Sequence, residues 1–246
     1  MDLTIVIPTY NEAQNLPLLV DALLNLKIHD VRSSLIIVDD NSPDGTGQIA
    51  MELKGIWGNR VNVIQQAGKM GLGSAYLRGF RAALDQGAEL IAQMDADFSH
   101  DPAVLRAMLE KIETADLVIG SRYMPGGGID RQWSWHRKAL SIFANRFVIP
   151  VILGLKTCDA TSGYRLWRRE TLLGINPWHR VHTNNYAFQT EMALLAERLG
   201  FKISEVPIFF HERTKGASKM TLQVKIGTIL TVIGLYWRYR RKISKG

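Results

Sequence analysis

The chain has 246 residues, of which 46% are hydrophobic and 22% are charged. That composition is typical of a globular protein with a core and excludes disorder along the whole length; the length fits one large domain or one domain with a small appendage. Thirty Lys and Arg against 23 Asp and Glu give a net charge of +7, which favours an anionic partner: phosphate, nucleic acid or an anionic membrane.

Cysteine content and the N-terminal residues suggest a compartment. Cys158 is the only cysteine, so an intrachain disulfide is excluded and a reducing cytosol is expected. We expect no signal peptide, because the N-terminus has no basic segment and Pro8, Asn11 and Glu12 interrupt its apolar run.

The first half of the chain alternates between predicted strands and helices. Short apolar runs that end in turn-forming residues are typical of strands buried on both faces of a sheet; they lie at residues 3–8, 35–38, 61–65, 90–94 and 117–119. Apolar residues at helical spacing predict helices from Leu16, where Asn15 is a candidate cap, and over residues 72–84. The alternation predicts a doubly wound α/β sheet.

The second half has a different pattern. A flexible loop at residues 125–128 precedes a strongly apolar segment at 139–155, and a strand is predicted at 201–210, where Pro207 indicates an edge position. A second apolar segment, residues 220–237, is followed by a cluster of basic residues: Arg238, Arg240, Arg241, Lys242 and Lys245.

Acidic clusters follow three of the predicted strands, at residues 9–12, 39–46 and 95–97. Ligands of open α/β sheets bind beyond the carboxyl ends of the strands. Asp95 and Asp97 face the same way if the chain is extended, and a hard cation such as Mg²⁺ relieves their repulsion while taking phosphate and water as further ligands. The pair therefore predicts a metal that holds a diphosphate.

Helix capping is the alternative interpretation of this acidic stretch. It is weak for Asp95 and Asp97 and stronger for Ser99 and Asp101, which precede Pro102 and a predicted helix at residues 103–112.

Glycines and basic residues supply candidate phosphate contacts. Residues 68–73 (GKMGLG) open a predicted helix and either cradle phosphate or permit close packing; the sequence leaves both readings open. Four basic residues lie in or beside predicted loops, where phosphate binding and a solvated surface are both possible: Arg122, Arg137, Arg213 and Lys219.

Other polar residues are interpreted as structural. Glu191 shares a predicted helix with Met192 and Leu195 and is expected on its solvated face. The sequence has no Ser–His–Asp, zinc or processive nucleic-acid signature, and no nucleic-acid partner is expected. Scattered histidines are interpreted as ordinary polar residues: His29, His136, His179, His182 and His211.

These motifs, in this order, resemble the dolichyl-phosphate mannose synthase group of family 2 glycosyltransferases. The resemblance extends from residue 8 to residue 219. The matching stretches are PTYNE (8–12), VDDNSPDGT (38–46), GKMGLGSAY (68–76), MDADFSHDP (94–102), GSRY (120–123), WSWHRK (133–138), DATSGYR (159–165) and EVPIFFHERTKGASK (205–219).

The resemblance implies a GT-A fold, Rossmann-like, in one catalytic domain at residues 1–219 that includes an interfacial segment at 139–155. A membrane-associating segment at 220–246 would follow. The implied reaction is an inverting transfer of mannose from GDP-mannose to a polyprenyl (dolichyl) phosphate, with Mg²⁺ or Mn²⁺.

The resemblance also implies roles for individual residues. The nucleotide pocket would be lined by Pro8, Tyr10, Glu12, Val38 and Asp40. The sugar nucleotide would contact Asp95, Ala96 and Asp97, of which Asp97 is the firmest metal ligand and Asp95 the second. Ser99, where some relatives have Gln, would reach the metal through water. Phosphates would be bound by Arg122, Arg213 and Lys219, and the acceptor phosphate by Arg137.

The chemistry of the acceptor agrees with a site that lacks an obvious base. A sugar hydroxyl needs a general base to become nucleophilic, whereas a phosphate monoester, with a second pKa of about 6, is already anionic at neutral pH. Catalysis then consists of aligning two anions and neutralising charge on the leaving diphosphate. Three alternatives remain: a polyprenyl-phosphate glucose synthase using UDP-glucose, a nucleotidyltransferase, and a non-catalytic, membrane-recruited nucleotide-binding subunit.

The two apolar segments predict membrane contact. A polyprenyl tail stays in the bilayer, and the basic cluster after residue 237 suits anionic headgroups, so we expect a peripheral protein on the cytosolic leaflet. Arg146 and Pro150 argue against a span at 139–155. The alternatives are that both segments are core helices, or that residues 220–237 cross the bilayer.

Overall fold

The structure, a computed structural model, describes residues 1–185, 187–211 and 222–240. Its strands are β1 (Asp2–Thr9), β2 (Arg32–Asp39), β3 (Val61–Gln65), β4 (Leu90–Gln93), β5 (Leu117–Ser121), β6 (Gly128–Ile129), β7 (Arg165–Arg168), β8 (Ile203–Pro207) and β9 (Phe209–Phe210). Its helices are α1 (Leu16–Leu24), α2 (Thr46–Trp57), α3 (Leu72–Asp85), α4 (Leu105–Ile112), α5 (Trp135–Phe143), α6 (Ile149–Leu153), α7 (Arg169–Ile175), α8 (Pro177–Arg180), α9 (Ala187–Arg198) and α10 (Leu222–Tyr239).

A seven-stranded sheet with the order β3-β2-β1-β4-β7-β5-β8 forms the centre of the described chain. The pairs β1–β2, β2–β3, β1–β4 and β5–β8 are parallel, which confirms the α/β prediction. The exception is β7, which lies antiparallel between β4 and β5 and therefore begins at the edge of the sheet where they end. The small strands β6 and β9 form a second, two-stranded sheet.

Several predicted boundaries differ in detail. The single strand predicted at 201–210 is two strands, because Pro207 has no N–H to continue a ladder, and β8 occupies a sheet edge as its proline indicated. The helix predicted at 103–112 begins as a 3₁₀ turn, Pro102–Val104, which Asp101 caps by accepting the Ala103 N–H at 2.9 Å. The capping interpretation of Asp101 is confirmed.

Apolar layers cover both faces of the sheet. On one face, α1 and α4 bury residues such as Leu19 and Met108; on the other, α3 and α9 bury Tyr76, Phe80 and Phe188. Each such side chain contributes roughly 1.5–3 kcal/mol when fully buried.

The C-terminal helix α10 joins the second of these layers. It packs on α6 and α9 and buries Val232, Leu235 and Tyr239 there, while Ile233 and Trp237 remain exposed. One side of α10 therefore belongs to the core. Among the described helices, none combines the length and the hydropathy that a membrane crossing requires.

Candidate active site

Five segments meet at one edge of the sheet, which we call the carboxyl edge. Strands β1, β2 and β4 are parallel neighbours, so the residues that follow them lie together. Because β7 runs the opposite way, the residues that precede it reach the same edge, next to the end of β5. The carboxyl edge consists of residues 8–12, 39–46, 95–101, 121–123 and 159–164.

Two of the aspartates at the end of β2 and in the following turn, Asp39 and Asp44, hold the turns in place. Asp39 accepts hydrogen bonds from the Thr9 hydroxyl at 3.0 Å and from the Ser42 main chain at 3.0 Å. Asp44 accepts from Thr46 and Ala13; burial alone would raise the pKa of Asp44, but these hydrogen bonds lower it. The carboxylates of Asp39 and Asp44 therefore stabilise the turns of this cluster.

The third aspartate, Asp40, is buried and orients towards the loop before α3. Its carboxylate accepts a hydrogen bond from the Gln66 side-chain amide and another, at 3.0 Å, from the Gly71 N–H. On the same loop, Lys69 places its ammonium group 4.1 Å from the centre of the Tyr10 ring. Two residues expected in the nucleotide pocket, Tyr10 and Asp40, are thus tied to one loop.

The other residues expected in this pocket lie around the same turn. Pro8 pairs with Val38 across β1 and β2, and Glu12 donates its N–H to the Thr46 hydroxyl at 2.9 Å. The Val38 side chain is fully buried, so a ligand reaches this residue only through its main chain.

The glycine-rich loop at residues 68–73 serves close packing. A Cβ atom on Gly71 or Gly73 would lie 2.8 Å from a main-chain oxygen of Asn184 or Thr183, respectively, and Gly71 has a φ of +94°. The N–H of Gly71 is taken by Asp40. These contacts favour the packing interpretation over a phosphate cradle.

Asp95 and Asp97 follow β4 in a tight turn. Asp97 is buried and accepts the Ser99 N–H at 3.0 Å, and Asp95 lies 3.4 Å from the Tyr76 hydroxyl. Phe98, which directly follows Asp97, has a φ of +60°. This is a strained conformation of the kind found at functional sites.

The donor atoms of this turn fit a hard divalent cation. The Ser99 hydroxyl is buried and has no hydrogen-bond partner among the residues that the structure describes. Together with the carboxylates of Asp95 and Asp97 it offers oxygen ligands of the kind that Mg²⁺ and Mn²⁺ take. Within the described part of the chain, no three His, Cys, Asp or Glu side chains are grouped as a metal site.

His100 supports this turn, a role that the sequence interpretation missed. Its Nδ1 atom accepts the Asp95 N–H at 3.3 Å, and its ring stacks on Tyr164 with 5.0 Å between centroids. Burial lowers the pKa of His100, and the smaller, opposite effect of Asp95 and Asp97 does not cancel this. The ring is therefore neutral, and its Nδ1 atom can accept a hydrogen bond. Its place inside the MDADFSHDP stretch was the available signal.

A buried ion pair forms the other part of the carboxyl edge. Arg122 donates from Nε and Nη2 to Asp159 at 2.7 Å each, and Nη2 also reaches the Thr161 hydroxyl at 2.7 Å. Burial alone would lower the pKa of Arg122, but Asp159 raises it well above its ordinary value. The pair fixes the loop before β7.

Two further residues fix this loop through hydrogen bonds to its main chain. Glu205 accepts the N–H groups of Cys158 and Asp159 at 2.9 and 3.1 Å. Arg165 donates to the carbonyl oxygens of Ser162 and Ala160 at 3.0 and 2.8 Å. Burial lowers the pKa of Arg165 to about 9, so it stays cationic at neutral pH.

Arg137 reaches this part of the edge through aromatic rings. Its guanidinium lies 3.4 Å from the centre of the buried Trp133 ring, and Trp133 packs edge-on against Phe210. Phe210 in turn contacts His100 and lies under Arg122, 5.4 Å from its guanidinium carbon. The two other expected phosphate ligands, Arg213 and Lys219, lie outside the described residues.

The expectation that Glu191 lies on a solvated helix face is wrong. Its side chain is fully buried and accepts hydrogen bonds from His182, Thr183 and Tyr239. Every residue of α9 from Ala187 to Ala196 is buried, so the helix has no solvated face at this position.

Similarity to known proteins identifies the family of the chain. The family model of glycosyl transferase family 2 matches residues 4–174. A polyprenol monophosphomannose synthase of Mycolicibacterium smegmatis is 44% identical over 220 residues, with 88% of this chain and 80% of the relative covered. An undecaprenyl-phosphate mannosyltransferase of Micrococcus luteus is 43% identical over 216 residues, with 88% of this chain and 86% of the relative covered.

Solved structures of lower identity share the fold. The mannosyl-3-phosphoglycerate synthase of Rubrobacter xylanophilus has a TM-score of 0.66 at 20% identity, with 98% of this chain and 74% of that chain covered. The glucosyl-3-phosphoglycerate synthase of Mycobacterium tuberculosis, solved with Mn²⁺, UDP and glucosyl-3-phosphoglycerate, has a TM-score of 0.62 at 17% identity, with 95% and 80% covered. The GT-A fold prediction is confirmed, and the chain is an enzyme that belongs to glycosyl transferase family 2.

Proposed function

We propose that this enzyme transfers mannose from GDP-mannose to a polyprenyl (dolichyl) phosphate, with inversion at the anomeric carbon, and releases GDP. The acceptor class and the sugar are supported by the names of the two relatives that are 43–44% identical. The structural observation that carries the proposal is the meeting of a carboxylate pair, Asp95 and Asp97, with the Arg122–Asp159 loop at one edge of the sheet. A diphosphate donor and a phosphate acceptor need groups of these two kinds.

The donor side of the carboxyl edge consists of Tyr10, Asp40, Asp95 and Asp97. Tyr10 and Asp40 receive the nucleoside, together with Pro8, Glu12 and Val38 around the same turn. Ala96 stands between the carboxylates and presents only its main chain. Asp97, with Asp95 and a water on Ser99, would hold Mg²⁺ or Mn²⁺, which when bound neutralises charge on the leaving diphosphate.

The acceptor side consists of Arg122, Arg137 and Asp159, and the acceptor needs no base on this side. Its phosphate oxygen attacks the anomeric carbon, the bond from that carbon to the GDP oxygen breaks, and GDP leaves with the electron pair. Arg137 is preorganised by Trp133 and holds the acceptor phosphate in line, whereas Arg122 contributes its Nη1 edge and a fixed loop. Arg213 and Lys219 are proposed as further phosphate ligands on the strength of the motif alone.

An exposed apolar surface supports the proposal that the enzyme binds to a membrane surface. We define the apolar face as Phe143, Phe147, Val151, Ile233 and Trp237, of which Val151 is 82% exposed. It extends over α5, the π-helical turn Ala144–Val148, α6 and α10, and α6 contacts α10. Arg240 stands at its end with its guanidinium 4.8 Å from the centre of the Trp237 ring, where it would meet anionic headgroups.

This surface favours a peripheral protein, which we place on the cytosolic face of the membrane. The segment at 220–246 then attaches to a catalytic domain at 1–219 through the buried side of α10.

The proposal is tested by supplying the purified enzyme with polyprenyl phosphate and one labelled sugar nucleotide at a time, with Mg²⁺ or Mn²⁺. Label from GDP-mannose is expected in the lipid phase, with GDP released in equal amount. Label from UDP-glucose instead would establish the glucose synthase, and release of pyrophosphate would establish a nucleotidyltransferase. No transfer from any donor would favour a non-catalytic nucleotide-binding subunit.

A further inference from the structure

A buried hydrogen-bond cluster joins α10 to α9. The Tyr239 hydroxyl lies 2.7 Å from Glu191 Oε1 and 2.5 Å from the carbonyl oxygen of Arg180, so both acceptors share its one proton. Arg198 donates to the carbonyl oxygen of Tyr239 at 2.8 Å and fixes the end of the helix. The position of α10 is thus set at Tyr239.

The other oxygen of Glu191 holds the segment before α9, residues 181–185. Oε2 accepts the Thr183 N–H at 2.8 Å, the Thr183 hydroxyl at 2.6 Å and the His182 N–H at 3.1 Å. A fully buried carboxylate needs these donors, because it has no access to water. A shift of α10 that removes Tyr239 therefore disturbs the same carboxylate that orders residues 181–185.

Residues 181–185 interlock with the loop before α3. Asn184 donates from its side chain to the carbonyl oxygen of Met70, and it accepts the Ser74 N–H at 2.6 Å and the Gly73 N–H at 3.4 Å. A Cβ on Gly71 would lie 2.8 Å from the Asn184 carbonyl oxygen, so the two segments are in close main-chain contact.

The same loop then ends at the donor side. Gly71 donates its N–H to Asp40 at 3.0 Å, and Lys69 lies over the Tyr10 ring. An unbroken series of contacts therefore runs from Tyr239 on α10 through Glu191 and Asn184 to Asp40.

We propose that Glu191 and Tyr239 are positioning residues. They couple the position of α10 on the core to the affinity of the donor site for the nucleotide. The coupling rests on the proposed function, because it takes Asp40 as part of the nucleotide pocket. The opposite side of α10 carries two residues of the apolar face, Ile233 and Trp237, so a lipid surface acts on the same helix. Membrane contact then strengthens donor binding, and by reciprocity the donor strengthens membrane contact.

The test is titration of the full chain with GDP and Mn²⁺ in a calorimeter. Tyr239→Phe is expected to weaken GDP binding about fivefold or more, the lower range of measured couplings between sites, and to raise the KM for the donor more than it lowers kcat. Tyr236→Phe is the matched control, since it removes a hydroxyl from the exposed side of the same helix and should bind GDP like wild type. Asn184→Ala removes the two side-chain hydrogen bonds to the loop, with Met70 and Ser74, and in this background Tyr239→Phe should have a smaller further effect.

Different failures have different meanings. A wild-type chain that does not bind GDP refutes the proposed function. Wild-type binding with an unchanged affinity in Tyr239→Phe, whatever that variant's free energy of unfolding, overturns the coupling. A second measurement needs no variant: GDP affinity of wild type should rise when anionic vesicles are added, and an unchanged affinity also overturns the coupling.

Discussion

The donor and acceptor sides of the carboxyl edge hold their charges in different ways. On the donor side, Asp40 accepts hydrogen bonds from the amides of Gln66 and Gly71, and Asp97 accepts one from the Ser99 N–H, so neutral donors orient both carboxylates. On the acceptor side, Arg122 and Asp159 neutralise each other in a buried pair. The hydrogen bonds described on the donor side therefore orient carboxylates, whereas the ion pair on the acceptor side fixes a loop.

The largest effect is expected at Asp97, the proposed metal ligand. Asp97→Asn keeps the shape of the turn but removes a metal ligand, and because a metal supplies several kcal/mol of charge stabilisation we expect kcat/KM to fall by about three orders of magnitude. Steady-state transfer assays over a range of Mg²⁺ and Mn²⁺ measure this. Asp101→Asn is the control, since Asn also caps helices, and should remain near wild type. Normal turnover in Asp97→Asn would remove the metal from Asp97.

The next effect concerns folding. Asp159→Asn leaves the buried Arg122 charge without its partner and should lower the free energy of unfolding by about 3–5 kcal/mol. Urea denaturation measures the loss. Asp2→Asn breaks the exposed pair with Arg32, which also has a 2.7 Å contact, and should lower it by only about 0–1 kcal/mol. Equal losses in the two variants would contradict the distinction between a structural pair and a surface pair.

A smaller, selective effect is expected on the acceptor side. Arg137→Ala removes one charge-assisted contact of roughly 1.5–3 kcal/mol, so the KM for polyprenyl phosphate should rise about tenfold or more while the KM for GDP-mannose stays unchanged. Arg137→Lys should recover only part, because the two-bond fork and the stacking on Trp133 are lost. If the donor KM rises instead, Arg137 belongs to the donor side.

The smallest effect is expected outside the carboxyl edge, at the apolar face. Trp237→Ser should weaken binding to vesicles with anionic lipid about fivefold, since the ring buries only part of its area in a bilayer surface. Vesicle flotation measures the bound fraction. Leu173→Ser removes a half-exposed apolar side chain from α7, outside this face, and serves as the control. Similar losses in both variants would indicate non-specific hydrophobic adsorption to the vesicles rather than a membrane-binding face.

The proximity of the residues assigned to the donor side was largely predictable from the sequence. The acids on this side directly follow apolar runs, and the register of parallel strands brings the strand ends together whatever the rest of the chain does. Local spacing alone was enough to propose Asp95 and Asp97 as metal ligands.

The acceptor side and the buried cluster were not predictable in this way, because their roles depend on partners far along the chain. Asp159 pairs with Arg122 across 37 residues, and Glu191 meets Tyr239 across 48. A buried Glu at helical spacing has the same pattern as a solvated one until its donors are known. The antiparallel β7 was hidden for a related reason, since no crossover helix marks it in the sequence.

The most direct test of the account follows oxygen atoms through the reaction. The enzyme is given GDP-mannose and polyprenyl phosphate whose three terminal phosphate oxygens are ¹⁸O, and the products are read by ³¹P isotope shift and by the coupling of the anomeric proton. If the acceptor phosphate attacks the sugar carbon, all ¹⁸O stays in the lipid product, one ¹⁸O bridges phosphorus and an inverted C1, and GDP has none. Label in GDP, an unlabelled bridge or a retained configuration at C1 would contradict the mechanism.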